Sequence, residues 1–158
     1  MMKTTVKIEG LRDLEVALSE LPKSTGKAVI RRTLKKAGEP IADRWRSLAP
    51  DDPNTSGDDY RSSITVSTKL SKRQRAAHRK MFRDDKASVE MFVGAGPLPH
   101  PHQQEFGNVN HGPQPAGRPA WDEKQGQALG IIRTEMWSEI EKAAKRLARK
   151  AARLAAKG

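Results

Sequence analysis

Two long runs of apolar residues at helical spacing dominate the sequence, and they restrict the chain to folds built around two long helices. Spacings of three and four residues put every member of a run on one face of a helix. The first run consists of Ile30, Leu34, Ala37, Ile41, Trp45 and Leu48. The second run consists of Ile132, Met136, Ile140, Ala143, Leu147, Ala151 and Leu154. We therefore expect one helix over residues 24–49 and another from Trp121 to the C-terminus.

Pro40 lies in the middle of the first run, where a proline removes a backbone hydrogen bond and clashes with the preceding turn. The apolar stripe stays in phase on both sides of this proline. One helix kinked near Glu39 is therefore favoured over two separate helices. A shorter helix, ended by Pro22, is predicted by the apolar stripe at Leu11, Leu14, Leu18 and Leu21.

Three short segments alternate apolar and polar residues, which is typical of strands. They are residues 4–10, 62–70 and 87–96, with Ile64 and Val66 facing inward in the second. A chain of 158 residues is long enough for one domain and short for two. We predict a single α+β domain over residues 1–158, in which a small antiparallel sheet packs against the kinked helix and the long C-terminal amphipathic helix.

The composition indicates a thin core. Apolar residues make up 35% of the chain and charged residues 31%, and the three tryptophans, three phenylalanines and one tyrosine are the only aromatic residues. Such a chain can complete its burial in an assembly. It has no cysteine, which excludes disulfides and thiolate metal sites. No stretch approaches the roughly 20 apolar residues of a membrane span, so we expect a soluble protein made in a cytoplasm.

The sequence contains no recognisable catalytic motif, and we predict neither enzymatic activity nor a cofactor. The glycines of "GAGP" at 94–97 lack the spacing of a phosphate-binding loop. The histidines between residues 100 and 111 could suggest a zinc site, but such a site needs three or four converging ligands. Loop histidines that make local hydrogen bonds are the better interpretation. A metal-dependent hydrolase that uses His100, His102 and Asp122 remains a third hypothesis, and His111 and Glu105 are the other candidate metal ligands nearby.

Two basic segments carry much of the net charge of +11. One is residues 71–86, between the second and third predicted strands, where the sequence leaves open a short helix or a mobile arm. The other is the helical end, residues 142–158. Such patches bind nucleic acid or acidic protein surfaces, or are simply solvated; alanine opposite the charges argues against a membrane surface. The predicted basic contact surface comprises Lys72, Arg73, Arg75, Arg79, Lys142, Lys145, Arg146, Arg149, Lys150 and Arg153.

An ordered set of segments resembles the neck, or tail-completion, protein family of long-tailed bacteriophages. "EGLRDLEVALSELP" precedes the first long helix, and "SSITVS" and "FVGAGP" mark the strands. "HPHQQEFGN" and "GPQPAGRPAWD" then lead into the last helix. The similarity covers nearly the whole chain. The basic stretch 71–86 departs from the family pattern, and "DDPNTSGDDYRSSI" only approximates the family's sequence after the first long helix.

The resemblance implies a structural virion protein that forms a ring in the neck and joins the head connector to the tail. Six copies match the sixfold symmetry of a long tail, with twelve as the alternative. The implied partners are other copies, the adjoining neck, head-closure and tail-terminator proteins, and DNA in the channel. The implied location is the virion neck, after assembly in the bacterial cytoplasm. A tail-terminator or head-closure ring, or a basic non-specific nucleic-acid-binding protein, are the alternative functions.

The resemblance also gives a role to the Pro/Gly-rich segment 97–120. Prolines fix φ and glycines permit close backbone approach, so the segment can form a rigid loop that presents a constant surface to neighbouring subunits. Phe106 and Trp121 are expected to anchor its ends in the domain, and Arg118 to bind a carboxylate within or across subunits. A loop that packs only on its own domain is the alternative. The predicted assembly loop comprises Glu105, Phe106, Gly107, Pro113, Pro115, Arg118, Pro119 and Trp121.

Overall fold

The structure, a computed structural model, describes residues 11–50, 60–83, 89–96 and 100–156. The predicted first strand, residues 4–10, and the polar loop 51–59 lie outside the described residues. In the described part, helices predominate and the strands form one two-stranded antiparallel sheet, which confirms the α+β prediction. The elements are α1 (Leu11–Ser19), α2 (Lys23–Leu48), α3 (Tyr60–Ser63), β1 (Thr65–Ser67), α4 (Lys72–Met81), β2 (Phe92–Gly94), α5 (His100–Phe106) and α6 (Gly117–Ala155).

Helices α2 and α6 pack along each other in antiparallel orientation and form the scaffold of the domain. The antiparallel direction is visible in the ion pairs between the helices: successive partners have rising residue numbers in α2 and falling residue numbers in α6. Burial of apolar surface between the two helices stabilises the pairing, and ion pairs along its edges are consistent with this register but add little stability where they are exposed. These ion pairs join Arg32 Nε to Glu139 Oε2, Lys36 Nζ to Glu135 Oε2 and Arg44 Nε to Glu123 Oε2, each at 2.6 Å.

The core follows this scaffold as three small clusters. At the α1 end, Leu14 packs with Val29 of α2 and Ile140 of α6. In the middle, Ile41 packs with Ala37 and Ala128. The third cluster lies where α2 ends and α6 begins. It contains Ala42, Ala49, Tyr60, Ile64 and Ala116. Alanine fills many buried positions, which agrees with the thin core that the composition predicts.

The first long helix is a single helix, as predicted. Helix α2 continues through Pro40 from Lys23 to Leu48. Two residues before Pro40, the sheet packs directly on the backbone at Gly38, where a Cβ atom would lie 2.8 Å from Val66 Cγ1 and 3.2 Å from Val93 Cγ2. Valine side chains are stiff at χ1, so they could not easily turn away from a larger residue. Gly38 therefore sets how closely the sheet approaches α2.

The strands are shorter than predicted. In the register of the antiparallel pair, Val66 lies opposite Val93. The predicted start of the strand 62–70 is wrong, because residues 60–63 form the short helix α3 and Ile64 is fully buried beyond it. The segment that joins the strands contains a helix, α4, which answers the question of a helix or a mobile arm for residues 72–81. Residues 84–88 lie outside the described part of the chain.

The last helix begins earlier than predicted, at Gly117 rather than Trp121. After Ala143, every described residue of α6 is exposed except the partly buried Leu147. The final turns therefore extend past the packed body, as the alanine-rich sequence suggests. No helix in the described ranges is long and apolar enough to cross a membrane.

Candidate assembly surface

The carboxylate of Glu105 joins α5 to the first turn of α6. Its Oε2 accepts hydrogen bonds from the backbone N–H groups of Ala116 (2.9 Å) and Gly117 (3.0 Å). Its Oε1 accepts from the backbone N–H of Arg118 at 3.0 Å and from Arg118 Nε at 3.2 Å. Arg118 Nη2 also donates to the backbone oxygen of Glu105 at 3.3 Å. Arg118 thus binds a carboxylate within its own subunit, which is one of the two predicted possibilities.

Glu105 performs the function of an N-cap from outside the helix. The first turn of a helix has N–H groups with no intrahelical partner, and α6 has no polar cap residue of its own because Ala116 occupies the capping position. Pro119 has no N–H to satisfy, and Ala120 N–H donates to the backbone oxygen of Ala116 at 3.1 Å. Every N–H group from Ala116 to Ala120 is therefore accounted for.

Glu105 is charged in the folded protein although it is buried. Burial alone raises the pKa of a carboxyl group, but the hydrogen bonds from the three backbone N–H groups and from Arg118 outweigh it and lower the pKa of Glu105. A carboxylate at the positive end of the α6 dipole is also electrostatically favoured. The site is thus a charge-assisted clamp between two segments 11 to 13 residues apart.

The connection between α5 and α6 folds back on α5. Gly107 has a φ of 76°, and a Cβ atom there would lie 2.9 Å from the backbone nitrogen of Pro113. This position therefore favours glycine strongly. Asn108 Oδ1 accepts from the N–H groups of Asn110 and His111, at 2.8 and 3.0 Å. Gln114 N–H, between Pro113 and Pro115, donates to Gln104 O at 2.7 Å. These contacts hold the connection against α5, and its rigidity stays a prediction.

Two parts of the segment 97–120 are helical, contrary to the prediction of an irregular loop throughout. Residues 100–106 form α5, and α6 begins at Gly117. Helix α6 starts close to α2, since a Cβ atom at Gly117 would lie 2.8 Å from Trp45 Cζ2. The Trp45 indole is held by its Nε1, which donates to the Tyr60 hydroxyl at 2.8 Å. Glycine is therefore favoured at position 117 because a side chain would collide with Trp45, and at position 107 because of the positive φ.

The prediction that Phe106 and Trp121 anchor the loop in the domain is wrong. Phe106 is 58% exposed and Trp121 is 54% exposed. Arg118 lies over the Phe106 ring, 5.1 Å from its centroid, and the His102 ring packs against the same Phe106 ring with centroids 4.9 Å apart. The anchor is instead the Glu105 clamp. Both aromatic side chains are left on the surface near Arg118, and we call Phe106, Arg118 and Trp121 the α5–α6 surface. The fully exposed Val109 lines the same depression as Phe106.

An apolar groove adjoins this surface, between α2, β2 and α6. Leu34 and Ile41 of α2 form one side, and Trp121 and Leu129 of α6 form the other. Trp121 also lines the cleft beside Glu105 and Arg118, so the groove and the α5–α6 surface are continuous. Sequence reasoning missed the groove, because it assigned the apolar positions of both helices to the core. Its other lining residues are Ala37, Gly38, Met91, Val93, Gln125, Ala128 and Ile132.

The predicted basic contact surface is divided between two elements. Lys72, Arg73, Arg75 and Arg79 are exposed on α4. The remaining cations lie on the exposed end of α6, where Lys142 Nζ is 3.5 Å from Glu139 Oε1. The α6 cations are Lys142, Lys145, Arg146, Arg149, Lys150 and Arg153.

The histidines do not form a metal-binding group in the described part of the chain. Among the described residues, no set of three or more His, Asp or Glu side chains could hold a metal ion. His111 Nδ1 lies 2.9 Å from Gly112 O, which fits the interpretation of hydrogen-bonded loop histidines. The side chain of His100 is outside the described part.

Fold and surface together define a small α+β domain with a two-helix scaffold and a partly apolar exposed face. A family model described as "Bacteriophage HK97-gp10, putative tail-component" matches residues 12–111, more than half of the 158-residue chain. The chain belongs to this HK97 gp10-like family, which confirms the resemblance to a phage neck and tail family. No curated protein and no solved structure matches the chain significantly.

Family membership supports a structural component of a tailed-phage virion that contacts other virion proteins. The matched region includes α1 to α5 and therefore Glu105, while the N-terminal turn of α6 that Glu105 caps lies beyond it.

Proposed function

We propose that the protein is a tail-completion subunit that forms a ring in the phage neck, between the head connector and the tail. The observation that carries the proposal is the exposed apolar face formed by the groove and the α5–α6 surface. In a soluble protein, contiguous exposed apolar surface with polar surroundings commonly marks a protein–protein contact. The family match supports the virion setting.

The occupant of the groove is a neighbouring copy of the same chain. The groove is continuous with the α5–α6 surface through Trp121, so one contact area can include both. The Glu105 clamp and the folded connection hold this area in one conformation, which lowers the entropy cost of repeated association. Repeated identical contacts close into a ring when the rotation between neighbours divides a full turn. Six copies fit the symmetry of a long tail.

A leucine pair in α6 tests this contact. Leu129 lines the groove and is 45% exposed, whereas Leu154 is 63% exposed on the free end of the helix. Replacing Leu129 by glutamate places a charge in the contact at little cost to the fold. We expect native mass spectrometry to show a ring for the wild type and for the matched control Leu154→Glu, and monomer for Leu129→Glu.

Circular dichroism of all three proteins should be the same apart from small differences in helix content. Two results would contradict the proposal: a monomeric wild-type protein at the concentrations used for assembly, or a Leu129→Glu protein that forms the ring as well as the wild type does.

A further inference from the structure

One face of helix α4 packs against the sheet, and the opposite face is exposed to solvent. His78 packs edge-on against Phe92 of β2, with ring centroids 5.2 Å apart, and its Nε2 lies 3.3 Å from Glu90 Oε1. None of the residues of α4 is buried. The helix is nevertheless well formed, because Ser71 and Gln74 make a complete capping box, with bonds of 3.2 and 3.0 Å.

The cations of α4 are all on the side away from the sheet. With 100° between successive residues, the five cations of the helix project within an arc of roughly 160°, opposite His78. We call this the outer face of α4. Among the described residues, no acidic side chain forms an ion pair with it. The outer face consists of Lys72, Arg73, Arg75, Arg79 and Lys80.

We infer that the outer face of α4 binds the phosphate backbone of duplex DNA. Protein–protein contacts have apolar centres from which charged residues are depleted, whereas protein–DNA contacts are strongly positive. The centre of the outer face offers only Ala76 between the cations. A surface that binds single strands needs aromatic side chains on which bases stack, and the outer face has none. The inference rests on the proposed function, because the neck channel is where the protein would meet duplex DNA.

A matched pair of triple variants tests the inference. Lys72→Gln, Arg75→Gln and Arg79→Gln remove three charges from the outer face. Lys27→Gln, Arg31→Gln and Lys35→Gln remove three charges from an exposed stripe of α2. Both triples keep helix-compatible side chains and lower the net charge equally. Binding to a mixed-sequence 30-base-pair duplex would be measured by fluorescence anisotropy from 50 to 200 mM salt.

The log–log slope of affinity against salt should become shallower by about 1.8 to 2.7 for the α4 triple, since two or three phosphate contacts are lost and each contributes about 0.9. The ratio of the dissociation constant of this triple to that of the wild type should then fall by roughly ten- to fortyfold as the salt rises from 50 to 200 mM. The α2 triple should change the slope by less than one. A second duplex of unrelated sequence should bind equally well, because phosphate contacts do not read bases.

Equal losses in the two triples would overturn the inference, because net charge alone would then explain the binding. Duplex binding that is absent in the wild type, or unchanged in the α4 triple, would overturn it as well. Native mass spectrometry of the same samples separates this result from the proposed function. A wild-type ring whose DNA affinity is unaffected by the α4 triple contradicts only the inference, and a DNA-binding monomer contradicts only the ring.

Discussion

At the scale of single residues, Glu105 connects local sequence to the exposed surface. Its carboxylate satisfies three backbone N–H groups of α6 and pairs with Arg118, so the α5–α6 surface depends on one side chain. Part of this was visible in the sequence. Arg118 was predicted to bind a carboxylate, but the helix was expected to start only at Trp121, so the need for an acceptor at the backbone N–H groups of Ala116 to Arg118 was not visible. The sequence could not identify which acid, because the partner is 13 residues away along a bent chain.

Glu105→Ala should destabilise the domain by about 2 kcal/mol, because it leaves buried N–H donors unpaired. Glu105→Gln keeps an acceptor oxygen and should cost about half as much. Urea unfolding at pH 7 measures both. Equal stability of Glu105→Ala and the wild type would show that the clamp does not stabilise the fold.

The clamp also predicts how stability depends on pH. The pKa of Glu105 is lower in the folded protein than in the unfolded chain, so its contribution is fully present above the unfolded pKa. The contribution is lost as the pH falls through the folded pKa. The stability difference between the wild type and Glu105→Gln should therefore narrow as the solution is acidified below about pH 4.

At the scale of elements, apolar periodicity predicted the helices well and the strands less well. The runs in α2 and α6 are long enough that no other structure accommodates them, and even Pro40 does not end α2. The strands are three residues each, and segments so short are decided by tertiary contacts. Here the deciding contact is the approach of Val66 and Val93 to Gly38. From the sequence alone, Gly38 received no role in positioning the sheet.

The free end of α6 gives a prediction at this scale. The buried positions of α6 end at Ala143, so deletion of residues 145–158 removes helix without opening the core. We expect the truncated protein to unfold within a few degrees of the wild-type midpoint, with circular dichroism reduced only by the lost turns. It should fail to support head–tail joining, because the basic end is predicted to contact an acidic neck protein or channel DNA. Infectious particles at normal yield would instead show that this end is only solvated.

At the scale of the whole molecule, a thin, alanine-rich core coexists with large apolar side chains on the surface. Phe106, Trp121 and Leu129 are about half exposed although the chain has few aromatic residues to bury. The composition indicated that burial would be completed in an assembly, but it could not show which side chains remain outside. That depends on how α2 and α6 pack: Ala37 and Ile41 belong both to the buried core and to the lining of the groove, whereas Leu129 remains about half exposed.

The position and copy number of the protein in intact virions test the central proposal most directly. Cryo-electron microscopy of purified particles would show whether the α2–α6 scaffold fits density in the neck. We expect one ring of six copies between the head connector and the tail, with the groove of each copy covered by its neighbour. Density that places the protein outside the neck, or intact particles from which it is absent, would contradict the proposal.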